Sequence, residues 1–382
     1  MLKLDGATHT ASEIFQQPLV WKKSISLFAE KRNEYKGFLQ EIYSKHEVVK
    51  VILTGAGTSA FIGDILAPIF KQEGKNKVFF EAVPTTDIVS NPTEYLVSEI
   101  PTILVSFARS GQSPESVATV NLGQQLIKDF YQVVITCNKD GQLAKNVQDD
   151  KNSIVILLPE EANDKSLAMT SSFSCMMLMA YALFTNNPSF DQEMNLVIEN
   201  GQHLVTTVNT TVDTVLEYDF NRIIYLGSGL LGQLAHEASL KMLELTAGKV
   251  VAAFESSLGF RHGPKSILND QSVVALFVSS DPYTRKYDLD ILKEISGIPG
   301  VKVIALSEKL DETVEQYADW KIPVNTSGEL VKNDFYLALL YIVFAQTLAM
   351  KKSINLGISP DNPSPDGVIS RVVQGVTIYD YK

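Results

Sequence analysis

A pattern that occurs twice constrains this chain more than any other feature. Residues 51–60 read VILTGAGTSA, and residues 223–232 read IIYLGSGLLG. Each is an apolar, β-branched run ending in a Gly-x-Gly turn, the arrangement in which a buried strand opens into a helix. The likeness continues at nearly constant spacing. TILVSFARSG (102–111) matches SVVALFVSSD (272–281), and QVVITCNK (132–139) matches KVIALSEK (302–309). Two tandem units of one design predict a cleft between like halves, with the chemistry placed where the copies differ.

The 382 residues can form two domain cores, and 45% hydrophobic with 20% charged residues describes a globular chain. No apolar run is read as reaching the ~20 residues that span a bilayer. The start, MLKLDGATHTASEIFQQ, lacks the apolar centre of a secretion signal. No membrane partner is therefore expected. Cys137 and Cys175 offer neither a disulfide framework nor metal-ligand spacing. A reducing cytoplasm is the simplest location, and no metal and no cofactor is expected. The net charge of −11 disfavours nucleic acid as a partner, yet a few local donors can still hold a small anion.

The expected fold class is α/β: two tandem domains, each a parallel-sheet αβα sandwich of flavodoxin-like or Rossmann-like type. Helical spacing covers residues 10–46. Strands are expected at 50–54, 78–82, 102–107, 132–136 and 153–158, then at 222–226, 273–278, 302–306 and 319–324, nearly continuous in apolar character as buried parallel strands are. Buried helices at 171–185 and 334–350 close the two halves, and a polar helical stretch, 190–217, joins them. The domain reading is therefore an N-terminal helical segment (1–45), a first domain (46–190), a helical linker (191–217), a second domain (218–358) and a C-terminal tail (359–382) whose apolar stretch 368–379 must pack on something. In parallel βαβ order, ligands bind at the carboxyl ends of the strands.

The loops at those ends differ. After the first strand comes Thr54-Gly55-Ala56-Gly57-Thr58-Ser59, a tight turn whose hydroxyls could cap the helix or meet an anion at its N-terminus. It is neither a Walker loop nor GxGxxG, because Ala60 holds the third glycine position. The third strand ends in Ser106-Phe107-Ala108-Arg109-Ser110-Gly111-Gln112-Ser113-Pro114-Glu115-Ser116. Hydroxyls, a guanidinium and backbone amides can coordinate a phosphate monoester without a metal. The same residues could simply cap a helix. The matching second-half loop, Ser279-Ser280-Asp281-Pro282, carries an aspartate that would repel phosphate, so the phosphate is expected in the first half. Thr170, Ser171 and Ser172 could reach the ligand or cap the helix they precede.

The second half carries acid–base groups instead. In LLGQLAHEASLKMLELT (230–246), Glu237, Lys241 and Glu244 form a polar stripe at i, i+4 and i+7. Such a stripe is usually a solvated, salt-bridged surface. Here the helix starts at a Gly-x-Gly turn and is expected to face the cleft. Arg261-His262-Gly263-Pro264 places one of only five histidines on a glycine-flanked loop. A carboxylate and a histidine suit proton transfer on a small carbonyl compound.

These residues together resemble the sugar isomerase (SIS) domain family, and two such domains in tandem resemble the isomerase half of glucosamine-6-phosphate synthase. The motifs GAGTSAFIGDI, SFARSGQSPES, AMTSS, LKMLELTAGK, GFRHGPKS and RVVQGV are similar to those of the AgaS-type group, the galactosamine-6-phosphate deaminase/isomerases also labelled tagatose-6-phosphate ketose/aldose isomerases. The resemblance implies that Thr58, Ser59, Ser110 and Ser113 meet the sugar phosphate, with Arg109 where the synthase has glutamine and Ala108 where it has serine. It implies that Thr170 and Ser171 line the sugar, and that Glu244 moves the proton between C1 and C2 with Lys241 beside it. His262 matches the histidine assigned to ring opening, which the synthase takes from a neighbouring subunit. A homodimer or larger homo-oligomer is therefore expected. The synthase's C-terminal lysine has no counterpart in RVVQGVTIY, and the amidotransferase half and its cysteine at position 2 are missing, which favours ammonia release. The implied activity is deaminating isomerisation of D-galactosamine 6-phosphate. The alternatives are a plain ketose/aldose isomerase of a hexose 6-phosphate and a catalytically silent sugar-phosphate sensor.

Overall fold

The computed structural model describes residues 6–74, 77–373 and 375–382. Residues 1–5 of the expected N-terminal segment and Gln374 of the RVVQGV motif lie outside them. The chain divides into two compact units. One gathers Val20–Asp164, Ser171–Asn187 and Asp366–Lys382. The other gathers the described N-terminal residues through Leu19 with Lys165–Thr170 and Pro188–Pro365.

The chain opens with α1 (Thr8–Phe15) and α2 (Gln17–Lys45). The single helix expected over 10–46 is broken at Gln16, and Pro18 falls in the first turn of α2, where proline is best tolerated. The first sheet then follows: β1 (Val49–Thr54), α3 (Thr58–Glu73), β2 (Val78–Ala82), α4 (Thr85–Ser90), α5 (Pro92–Tyr95), β3 (Thr102–Ala108), α6 (Pro114–Leu126), β4 (Phe130–Thr136), α7 (Gln142–Lys145), β5 (Ser153–Leu157) and α8 (Ser171–Phe184). Its strands are parallel, in the order β2-β1-β3-β4-β5. Every residue of β3 and β4 is buried, which is why both read as unbroken apolar runs.

The second sheet comes from α9 (Phe190–Leu216), β6 (Arg222–Gly227), α10 (Leu230–Leu245), β7 (Val251–Ser256), β8 (Ser272–Phe277), α11 (Thr284–Ser296), β9 (Lys302–Ser307), α12 (Glu312–Tyr317), β10 (Trp320–Pro323) and α13 (Asp334–Asn355). Its order, β10-β9-β8-β6-β7, is that of the first sheet with β6 in the place of β1. β7 was not expected. It is an alanine-containing edge strand, partly exposed along its length, and its apolar signal is correspondingly weak. The stretch read as a linker, 191–217, falls on α9, which packs along α13 within its unit.

Against the expectation drawn from the apolar runs, one helix among the described residues is long and apolar enough to cross a membrane: α13. It is a core helix instead, with 94% of the apolar window buried against α1, α9 and α10. Gln346 is buried there, its side-chain oxygen accepting a 2.8 Å hydrogen bond from the Gln17 side chain.

The repeated Gly-x-Gly turn has one backbone conformation in both units. Gly57 lies at φ 55°, ψ −128°, and Gly229 at φ 58°, ψ −129°, a region open in practice only to glycine. A Cβ at Gly229 would meet nothing within 4 Å, so any penalty there is conformational and not steric. Gly229→Ala is therefore expected to lower stability by about 1–3 kcal/mol, read as a shift in the urea midpoint. A midpoint equal to that of the parent would show that the turn is not strained.

Candidate active site

In an open sheet of this order, the crevice opens where neighbouring strands send their helices to opposite sides, here between β1 and β3 and between β6 and β8. Thr54 pairs with Ser106 across β1 and β3, so the two hydroxyl-bearing loops leave the sheet side by side. Thr58 and Ser59 occupy the first turn of α3 and are buried. Gly111 turns at φ 65°, Asn138 Nδ2 donates to the Ser110 carbonyl at 2.9 Å, and the Gln112 amide donates to Ser110 Oγ at 3.3 Å. Ser113 caps α6, accepting from the Ser116 amide at 3.3 Å, with the Ser116 hydroxyl 2.8 Å away. The capping reading and the ligand reading of Ser113 are thus compatible, because a cap holds its hydroxyl at a helix N-terminus.

Three further residues join this cluster. Asp164 accepts from the Ser171 amide (3.0 Å), the Ser172 amide (2.9 Å) and the Ser172 hydroxyl (2.5 Å), and so caps α8. Arg371, from the tail, donates through Nε to the Asp164 carbonyl at 3.0 Å and through Nη2 to Asn163 Oδ1 at 2.9 Å. Arg109, only 6% exposed, donates to the Arg371 carbonyl at 2.9 Å. The tail therefore lies against the loop carrying Arg109, and Gln125 reaches the Tyr381 carbonyl at 3.1 Å. Burial, reinforced by Asp164, pushes the Cys137 thiol well above its usual range, and burial lifts Cys175 to about 12, so neither is a ready thiolate. Asp164 and Asn163 carried no signal in the sequence. Arg371 did, as the first residue of RVVQGV. Thr170 is also fully buried, but it belongs to the other unit, and the boundary runs between it and Ser171.

The equivalent loops of the β6–β10 unit are already filled. Asp288 accepts from the hydroxyls of Ser228 (2.5 Å) and Ser257 (2.6 Å) and from the Ser279 amide (2.9 Å). Asp334 accepts from the Ser279 hydroxyl (2.6 Å) and from the amide and hydroxyl of Ser280, both at 2.7 Å. Burial pushes the Asp288 carboxyl up, opposed by those hydrogen bonds. Asp281, the residue expected to repel a phosphate, instead caps the start of α11 through the Thr284 amide at 2.8 Å. Two other carboxylates occupy the donors of this crevice.

The acid–base stripe is not a solvated face. Glu237 is fully buried and Lys241 is 1% exposed, while Glu244 keeps 23% of its side chain exposed. The Lys241 ammonium lies 2.6 Å from Glu244 and 3.5 Å from Glu237. Glu237 pins the ammonium from inside the unit, and the ammonium in turn holds Glu244 at the last turn of α10. His262 is exposed on the loop after β7, its amide donating to the Gly259 carbonyl at 2.8 Å. Among the described residues no hydrogen bond or ion pair joins its ring to Lys241 or Glu244.

The chain belongs to the SIS domain family, whose model matches residues 42–186 and 218–352. Within it, the chain is 43% identical to the D-galactosamine-6-phosphate deaminase AgaS of Shewanella sp. (strain ANA-3), across 98% of this chain and 93% of that protein. It is also 43% identical to the D-galactosamine-6-phosphate deaminase AgaS of Escherichia coli, across 98% and 96%. The crystal structure of tagatose-6-phosphate ketose/aldose isomerase from Escherichia coli superposes with a TM-score of 0.90 at 39% identity, covering 98% of this chain and 97% of that one.

Two predictions follow from the geometry. Lys241→Met leaves two carboxylates without their shared cation, one of them fully buried, and is expected to cost about 3–5 kcal/mol in urea unfolding. Adding Glu237→Gln should recover part of that loss, and a single variant as stable as the parent would contradict the arrangement. Arg371→Ala removes the guanidinium bonds to Asn163 and Asp164. Limited proteolysis should then cut residues 366–382 faster with the rest of the chain intact, and an unchanged cleavage rate would show that Arg371 does not hold the tail.

Proposed function

We propose that this chain is a D-galactosamine-6-phosphate deaminase, an aldose–ketose isomerase of amino-sugar catabolism that yields D-tagatose 6-phosphate and ammonia. The carrying observation is the Glu237–Lys241–Glu244 arrangement, a partly exposed carboxylate held by a buried ammonium, in a chain near-colinear with proteins of that name. A carboxylate so placed can take a proton from one carbon and return it to the next.

In the proposed reaction, Thr58, Ser59, Arg109, Ser110 and Ser113 with neighbouring amides bind the phosphate, and Thr170 and Ser171 line the sugar. His262 moves the proton that opens the ring. Glu244 removes the C2 proton from the open aldehyde and returns it to C1, while O1 takes up a proton and the amine loses one. The product is an imine at C2 with a hydroxymethyl group at C1. Water adds to the imine and ammonia departs, leaving the ketose. Lys241 orients the Glu244 carboxylate and offsets negative charge developing at O1. No step calls for a metal. A homodimer or larger homo-oligomer, as the family resemblance of His262 implies, and a cytoplasmic location complete the reading. The domain boundaries proposed with it are 46–190 and 218–358.

The same proton shuttle without an amine gives a plain ketose/aldose isomerase, a reading favoured by the name of the Escherichia coli structure. Ammonia release from galactosamine, glucosamine and N-acetylated 6-phosphates, set against interconversion of simple hexose 6-phosphates, separates the two. Glu244→Gln should retain sugar-phosphate binding by calorimetry and lose about 10²–10⁴-fold in ammonia release. Turnover near that of the parent would remove Glu244 as the base.

A further inference from the structure

The loop around His262 is held more firmly than an exposed, glycine-flanked segment requires. Two short 3₁₀ turns, Gly259–Arg261 and Pro264–Ile267, flank the histidine. From the first, Arg261 Nε lies 2.6 Å from Glu294 Oε2 and Nη2 lies 2.9 Å from Asp290 Oδ2. From the second, Lys265 Nζ lies 2.5 Å from Glu294 Oε1. Both carboxylates stand one turn apart on α11, and Ile291, Leu292 and Ile295 bury that helix in its unit. The anchor is therefore rigid. The loop is tied one residue before His262 and three residues after it, and both ties end on the two oxygens of Glu294.

Between the ties, the His262 side chain is exposed and has no hydrogen-bond or ion-pair partner among the described residues. Isolated pairs at such exposure contribute about 0–1 kcal/mol each, too little to explain their concentration here as stability alone. What the arrangement does achieve is geometric: two cations converge on one carboxylate and fix the course of the backbone between them. The cations also hold the Glu294 carboxyl below the usual carboxylate range, so it stays ionised at neutral pH and the ties persist there.

We propose that Glu294 is a positioning residue that, by bridging Arg261 and Lys265, fixes the loop presenting His262 to the sugar ring. The proposal rests on the ring-opening role given to His262 above. Displacement of a catalytic group by about 1 Å can lower turnover up to 10²-fold without touching the chemistry.

The test combines hydrogen exchange of the intact protein with a double-mutant cycle. Glu294→Gln should speed exchange across residues 257–266 severalfold, leave the thermal midpoint close to that of the parent, and lower kcat about tenfold with KM for galactosamine 6-phosphate within about twofold. In the His262→Asn background, adding Glu294→Gln should cause no further loss, because residues acting as one unit are not additive. An equal further loss in that background would overturn the proposal, as would unchanged exchange in the single variant. Full turnover by His262→Asn would instead overturn the role of the histidine itself. If Glu294→Gln fails to fold, Lys265→Met, which removes one tie only, carries the same readouts.

Discussion

The constraint on which the rest depends is the burial of two parallel sheets. A parallel strand covered by helices on both sides cannot present side chains to water, so polar chemistry is confined to the loops at the strands' carboxyl ends. Gly57 and Gly229 make those loops tight enough for α3 and α10 to start directly above β1 and β6. Helix N-termini, hydroxyls and charged side chains are then concentrated at the β1/β3 and β6/β8 crevices.

The two crevices use that concentration differently. In the β1–β5 unit, hydroxyls and amides of the 55–59 and 109–116 loops accompany Arg109, Asp164 and the tail residue Arg371. In the β6–β10 unit, the corresponding donors are satisfied by Asp288 and Asp334, so the chain's own carboxylates occupy the place where an anion would otherwise sit. That unit's distinctive chemistry lies instead on α10 and the loop after β7. There a buried ammonium holds Glu244, and an anchored loop carries His262. One fold used twice thus carries different loop chemistry in its two copies.

Much of this was legible from residue pattern. The unbroken apolar runs of β1, β3, β4, β6, β8 and β9 gave their positions to within a few residues, because full burial leaves an undiluted signal. β7 escaped because it is an exposed edge strand whose apolar run is also diluted by Ala252 and Ala253. The break at Gln16 was visible only as Pro18, which marks either a helix start or a kink until the packing is known. The apolar residues of α13 were read as a buried helix; it proves long and apolar enough to span a membrane, and its neighbours on α1, α9 and α10 place it in the core.

By itself, the sequence determined the duplicated α/β plan, the hydroxyl-bearing and charged loops, and the spacing that sets Glu237, Lys241 and Glu244 on one side of α10. Hydrophobic period, glycine conformation and helical spacing are local properties, written in neighbouring residues. Tertiary structure alone decided that Glu237 and Lys241 are buried and not solvated, that Asp288 and Asp334 fill the second crevice, and that Arg371 reaches Asp164 and Glu294 grips both sides of His262. Each of those depends on groups far apart in the chain meeting where water is partly or wholly excluded, and neither burial nor long-range pairing is encoded in residue spacing.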